Sequence, residues 1–198
     1  MSKTIPTPVG KAYYPRIDTP DTKFNPDGVY SCKLHVSEGD YNAFELTIND
    51  IVDRAYQEMC SQRGVQQLKK APTSPMKVTD AGDYEIYAKQ VAKKETRKGL
   101  LTFSVSVFDA KGNKLSETPK VGSGSTLKMG VEVFPYYTDL NGFGYSLRLK
   151  AVQIIDLVEY NAGDASSFGF SSEEGFTSDG ESLTEAFDNE KSLEQAPF

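Results

Sequence analysis

Apolar and polar positions alternate with period two along several stretches of this chain, the signature of half-buried strands. In Gly28–Val36, Val29, Cys32, Leu34 and Val36 are the inward positions after a shift near Tyr30. Tyr84–Val91 reads as a second strand. Leu101, Phe103, Val105 and Val107 alternate with Thr102, Ser104 and Ser106 as a third, with one polar face. Leu127, Met129, Val131 and Val133 set the next, against Lys128, Gly130 and Glu132. The last long strand runs from Tyr145 to Val158, with Leu147 and Leu149 facing in and Arg148 and Lys150 facing out. Its period slips at Val152–Ile155, which predicts a bulge.

One stretch has the three- and four-residue spacing of a helix. Between Tyr41 and Arg63, Phe44, Ile48, Ile51, Val52, Ala55 and Met59 make a single apolar stripe, with Asp40 as N-cap and Gly64 as the stop. Glu45, Asp50, Asp53 and Glu58 fall on its other face, which reads as a solvated surface and would repel a polyanion. The remaining segments are connections. Ser2–Asp27, with five prolines, reads as an extended arm, and Gln66–Thr79 as a long loop. Lys93–Gly99 reads as a basic turn, Asp109–Asn113 as a hairpin turn, and Gly142-Phe143-Gly144 as a break. Five strands and one helix is the element count of an OB-fold, a five-stranded Greek-key β-barrel. The order departs from that fold, whose helix lies between the third and fourth strands. The pattern alone gives a small mainly β barrel with one packed α-helix.

Charge changes the picture because it is unevenly spread. The chain carries −6 in total, but residues 164–198 hold nine acids and one base, Lys191, a formal −8 that leaves +2 for the rest. That stretch is rich in Gly and Ser, with too little apolar content to pack, and is expected to be disordered on its own. The division expected is therefore a barrel domain over 1–163 and an acidic tail over 164–198 that ends in Phe198. No apolar run reaches membrane-spanning length, and Met1-Ser2-Lys3-Thr4-Ile5-Pro6 lacks the apolar segment of a signal peptide, so a cytosolic location and no membrane partner are expected. Cys32 and Cys60, without metal-ligand spacing, read as buried thiols.

Enzymatic chemistry finds no support. The single histidine, His35, has no acidic or thiol partner at motif spacing and reads as a packing or surface residue. Zinc-protease and nucleophile-elbow motifs are missing. The Gly-rich Gly122–Lys128 lacks the Gly-Lys-Ser/Thr of a phosphate-binding loop and reads as a flexible inter-strand loop. Neither a cofactor nor a metal is expected. Single-stranded nucleic acid instead demands a basic groove for phosphates and aromatic faces for bases. Tyr84, Tyr87 and Tyr136 are candidate stacking residues, and Lys89, Lys93, Lys94, Arg97, Lys128, Arg148 and Lys150 candidate phosphate contacts, with Lys98 completing the basic run. Each residue alone has a bland reading as a solvated turn or amphipathic packing; their coincidence on a barrel favours nucleic acid. A β-rich structural or assembly protein without DNA binding is the alternative.

From about Gly82 to Gly163 the chain resembles the single-stranded DNA-binding proteins of short-tailed T-odd coliphages. The resemblance is carried by Val121-Gly122-Ser123-Gly124-Ser125-Thr126-Leu127-Lys128, by Val133-Phe134-Pro135-Tyr136, by Ser146–Val152 and by Leu157-Val158-Glu159. Val107–Lys114 is similar to the family's hairpin, Phe24–Tyr30 to its approach to the first strand, and the acidic tail closing on Phe198 to its tail. The resemblance implies an OB-fold core with an inserted helix and sequence-independent binding of single-stranded DNA in phage replication, recombination and repair. It also implies a homodimer, and a tail whose Phe198 meets the phage DNA polymerase and helicase-primase in the host cell cytoplasm. Lys128 and Tyr136 fall on family positions that face DNA, whereas Gly130 stands where the family's type member has a basic residue.

Overall fold

The computed structural model describes residues 3–97 and 99–159, together with Ser171. The fold they make lies within the unit Met1–Asn161. The acidic tail, Phe198 and Lys98 lie outside the described residues.

Among the described residues, ten strands and one helix follow in chain order: β1 (Ile5–Pro6), β2 (Gly10–Asp21), β3 (Val29–Val36), α1 (Glu38–Arg63), β4 (Met76–Val78), β5 (Tyr84–Val91), β6 (Lys93–Thr96), β7 (Gly99–Thr102), β8 (Ser106–Phe108), β9 (Thr126–Thr138) and β10 (Gly142–Asp156). Five of them close a barrel: β2 pairs β3, β3 pairs β5, β5 pairs β10, β10 pairs β9, and β9 returns to β2. All these pairs are antiparallel except β5 with β10. This is the OB-type five-stranded Greek-key barrel. β1, β4 and β8 extend its rim, on β9, β5 and β10 respectively, and β6–β7 is a separate hairpin.

The core follows the alternation read from sequence. Leu127, Met129, Val131, Leu147 and Leu149 from β9 and β10 meet Cys32, Leu34, Ile86 and Ala88 from β3 and β5, all of them buried. Tyr41, Phe44 and Ile48 of α1 close one side of this core. The register of β10 slips between Leu149 and Ala151 and again between Ile154 and Asp156, so the expected bulge is doubled and starts slightly earlier.

Several boundaries differ from the sequence reading. The presumed N-terminal arm contains the first barrel strand, β2. Its prolines are tolerated because the β2–β3 register breaks between Tyr13 and Arg16 and again before Asp21, so Pro15 and Pro20 fall where no ladder bond is needed. With β2 counted, α1 lies between the second and third barrel strands. The helix begins three residues before the expected start. Ser37, not Asp40, is its N-cap: the Ser37 hydroxyl accepts from the Asp40 amide and donates to the Asp40 carboxylate. Gly64, at φ 65°, ends it as expected, with Val65 N–H bonded to the Cys60 carbonyl.

The Gln66–Thr79 segment is not wholly loop. It contributes β4, and Tyr56 pins its start by donating to the Leu68 carbonyl and accepting from the Leu68 amide. The strand read through Leu101–Val107 splits into β7 and β8, because Leu100 and Leu101 are exposed in the hairpin while Val105 and Val107 enter the core. Gly142-Phe143-Gly144 does not break the chain. Phe143 is buried and its backbone pairs with Lys69 and Ala71, so β10 begins at Gly142 and the turn is Asp139–Asn141. The Gly-rich stretch does connect strands, but it is pinned: Ser125 is fully buried, donates to the Gly122 and Val158 carbonyls and accepts from the Val158 amide.

Candidate nucleic-acid interface

A cleft of about 800 Å³ runs over β5, β9 and β10, beside the β6–β7 hairpin. Its position follows from pairing and parity. Leu147 of β10 sits opposite Ala88 of β5, and both are core residues, so their neighbours Arg148 and Lys89 stand together on the outer face. On β9 the inward Val133 leaves Phe134 outward. Lys89 and Tyr87 from β5, Arg148 and Lys150 from β10, and Tyr136 from β9 line this cleft. Lys93 and Lys94 of the hairpin line it too, because β6 leaves the end of β5 after one residue, Ala92.

The other sequence candidates stand elsewhere. Arg97 is exposed at the hairpin tip. Lys128 is half-buried at the far end of β9, opposite Gln153, about six residues or roughly 20 Å along the strand from Phe134. Tyr84 turns to the helix: its ring lies 5.2 Å from that of Tyr41, and a hydrogen bond to Glu38 raises its pKa. Gly130 sits under the N-terminal segment in register with Pro6, and a Cβ there would lie 3.2 Å from the Thr4 methyl and 3.3 Å from Ala151 Cβ. A side chain at this position would therefore need Thr4 or Ala151 to give by a few tenths of an ångström.

Within the cleft the cations have neighbours. The Arg148 guanidinium stacks 3.4 Å from the centre of the Phe134 ring. Lys150 Nζ lies 3.2 Å from Glu132 Oε2, across the β9–β10 ladder. Tyr136 crosses Gly144 so closely that a Cβ there would come within 2.7 Å of the phenol oxygen. Tyr145 lies within 3.3 Å of Ser74 Oγ, and burial raises its pKa, so its phenol stays neutral across the physiological range.

Of the cleft residues not singled out from sequence, Phe134, Phe103 and Gln90 are the most informative. Phe134, 39% exposed, was legible from the alternation on β9, which puts it on the outward parity. Phe103 lines the cleft after β7, although its alternation with Val105 and Val107 pointed to the core. Gln90 shares the inward parity of Ile86 and Ala88, a pattern that by itself marks only a core position.

His35 lies away from this cleft. Its ring stacks on Tyr13 at 4.0 Å, and strand pairing brings it 3.6 Å from Glu85 and 3.8 Å from Asp83. Glu85, itself buried, is also bridged by Lys33 and Lys77, so strand pairing supplies acidic partners that chain spacing did not reveal. Cys32 and Cys60 are buried free thiols, and burial pushes the Cys32 pKa to about 12. Among the described residues no group of His, Cys, Asp and Glu could hold a metal ion, and no helix is long and apolar enough to cross a membrane.

Comparison with known proteins points the same way. A family model described as single-stranded DNA-binding protein, bacteriophage T7, matches residues 9–157. The single-stranded DNA-binding protein of Enterobacteria phage T3 is 28% identical over 169 residues, covering 76% of this chain and 72% of the relative. That of Escherichia phage T7 is 27% identical over 158 residues, covering 71% and 67%. In structure, the chain is similar to gp2.5, a single-stranded DNA-binding protein encoded by bacteriophage T7, with TM-score 0.70 and 22% identity over 90% of this chain and all of that one. It is also similar to the single-stranded DNA-binding protein of bacteriophage Enc34 in complex with single-stranded DNA, with TM-score 0.58 and 15% identity over 81% of this chain and 89% of that one. The matches span the whole barrel, and such proteins bind rather than catalyse: the chain belongs to the family of phage T7-type single-stranded DNA-binding proteins.

Proposed function

We propose that this protein holds single-stranded DNA, without regard to sequence, in the cleft over β5, β9 and β10. One observation carries the reading: strand pairing gathers Lys89, Arg148 and Lys150 with Tyr87, Phe134 and Tyr136 in a single cleft, beside the hairpin lysines Lys93 and Lys94. Bases stack on the aromatic rings, and phosphates lie against the cations. Arg97 and Lys128 extend the positive path beyond the cleft, and Tyr84 supports it from the helix side. The work is that of phage DNA replication, recombination and repair in the host cytoplasm, carried out by a homodimer and without a cofactor.

The acidic residues 164–198 compete with DNA for the basic cleft, and Phe198 engages the phage DNA polymerase and helicase-primase once DNA has displaced the tail. The charge division supports this: −8 in the tail against +2 in the remainder. The test is fluorescence anisotropy of labelled oligo-dT with the full chain and with a chain ending at Gly163, at several salt concentrations, alongside duplex. Salt-sensitive binding that prefers single strands and tightens without the tail is expected. Failure of both chains to bind would overturn the reading and favour a structural or assembly role; equal affinity of the two chains at low salt would overturn the tail's part in it.

A further inference from the structure

Gln90 is a polar residue in an apolar position. It follows Ile86 and Ala88 on the inward parity of β5, is only 8% exposed, and lines the cleft. Its Nε2 donates to the Val91 carbonyl at 3.0 Å. Its Oε1 is buried and has no hydrogen-bond partner among the described residues. Rotating the amide would set Oε1 against the Val91 carbonyl, two acceptors face to face, so the bond to Val91 fixes the oxygen as the unpaired atom. A buried acceptor without a donor is unfavourable, and a ligand that supplies the donor recovers that free energy.

We propose that Gln90 Oε1 accepts a hydrogen bond from the Watson–Crick edge of a nucleobase seated in the cleft. This rests on the cleft being the single-strand site. Chemistry restricts the donor. Within a DNA strand, phosphodiester and deoxyribose oxygens only accept. Every base, by contrast, carries an N–H on its pairing edge: N3–H in thymine, the amino groups of cytosine and adenine, N1–H and the amino group of guanine. One acceptor at this place therefore distinguishes base from backbone without choosing among bases. In a duplex those N–H groups are already engaged, so the same contact favours single strands. Stacking reads a base by its face and leaves this edge unread.

The test compares oligo-dT with an oligomer of N3-methylthymidine of equal length, using anisotropy with the full wild-type chain and with Gln90→Met, which keeps the length and loses the acceptor. Wild type is expected to bind dT roughly three- to tenfold more tightly than the methylated oligomer. Gln90→Met should bring that ratio close to one while its thermal melt stays cooperative. A ratio unchanged by the substitution would overturn the proposal. A second comparison needs no variant: wild type should prefer oligo-dC to an oligomer of N4,N4-dimethylcytidine deoxynucleotides, and equal affinity would overturn it. Equal binding of methylated and unmethylated strands removes Gln90 alone; no binding of any strand removes the cleft as the DNA site.

Discussion

The guanidinium carbon of Arg148 lies over the ring of Phe134, 3.4 Å from its centre, on adjacent strands of the cleft floor. In the proposed cleft the pair would offer a single strand both chemistries it requires, a cation for phosphate and an aromatic ring for a base. The two should be separable. Phe134→Ala is expected to weaken oligo-dT binding by about 1–3 kcal/mol and leave the slope of log affinity against log salt unchanged. Arg148→Ala should lower affinity and also flatten that slope by roughly 0.7. Anisotropy titrations from low to high salt measure both, and a wild-type slope in Arg148→Ala would take this side chain off the phosphate path.

Lys150 is half committed inside the protein, 3.2 Å from the Glu132 carboxylate. In the proposed cleft a phosphate would compete with that carboxylate for the same ammonium. Glu132→Gln is therefore expected to tighten binding several-fold at low salt and to steepen the salt slope by up to about 0.7. Weaker binding by a folded Glu132→Gln protein would mean that the ion pair positions Lys150 for DNA instead of restraining it.

Tyr136 depends on a missing side chain. A Cβ on Gly144 would come within 2.7 Å of the Tyr136 oxygen and 2.9 Å of Ala71 Cβ. Gly144→Ala should displace the phenol from the cleft and lower oligo-dT affinity, while Tyr136→Leu in the same background should lose little more. Additive losses in this double-mutant cycle would show that the glycine and the tyrosine act separately.

Stability should fall in alkali. Burial raises the Cys32 thiol from 9.0 to about 12 and the Tyr41 phenol from 10.0 to about 12. The unfolded chain releases these protons first, so native stability is whole below pH 9 and declines as pH rises from 9 towards 12. The thiol alone accounts for up to roughly 1.4 kcal/mol per pH unit in that window. Urea midpoints measured from pH 7 to 10.5 should decline from about pH 9, the ordinary thiol value, and Cys32→Ala should delay the onset. An identical pH profile in the variant would assign the decline to other groups.

Periodicity made most of the barrel legible. The bounds of β5 coincide with Tyr84–Val91 as read, because Ile86 and Ala88 enter the core and bulky residues flank them. The barrel's first strand was hidden because proline normally removes a residue from a ladder, and sequence alone does not reveal that β2 puts Pro15 at a register break. The leucines at 100 and 101 misled for a different reason: β6–β7 pairs only with itself, so alternation there has no core to answer to. At the cleft, the basic run from Lys89 was visible because those residues are close in the chain. The partnership of Phe134 with Arg148 depends on the β9–β10 register, and the unpaired oxygen of Gln90 on what surrounds it, neither of which spacing encodes.

The last barrel strand also dictates when the molecule can assemble. Ile5 is bonded to Val131, Gly10 to Leu127, and β5 to Leu147 and Arg148, so every closing seam waits for residues near the end of the barrel. Such long loops make closure slow. During synthesis, β2, β3 and α1 emerge well before β9 and β10, and the ring cannot form around them. A nascent chain thus exposes the edges of β2, β3 and β5 until β9 and β10 have emerged to close the barrel.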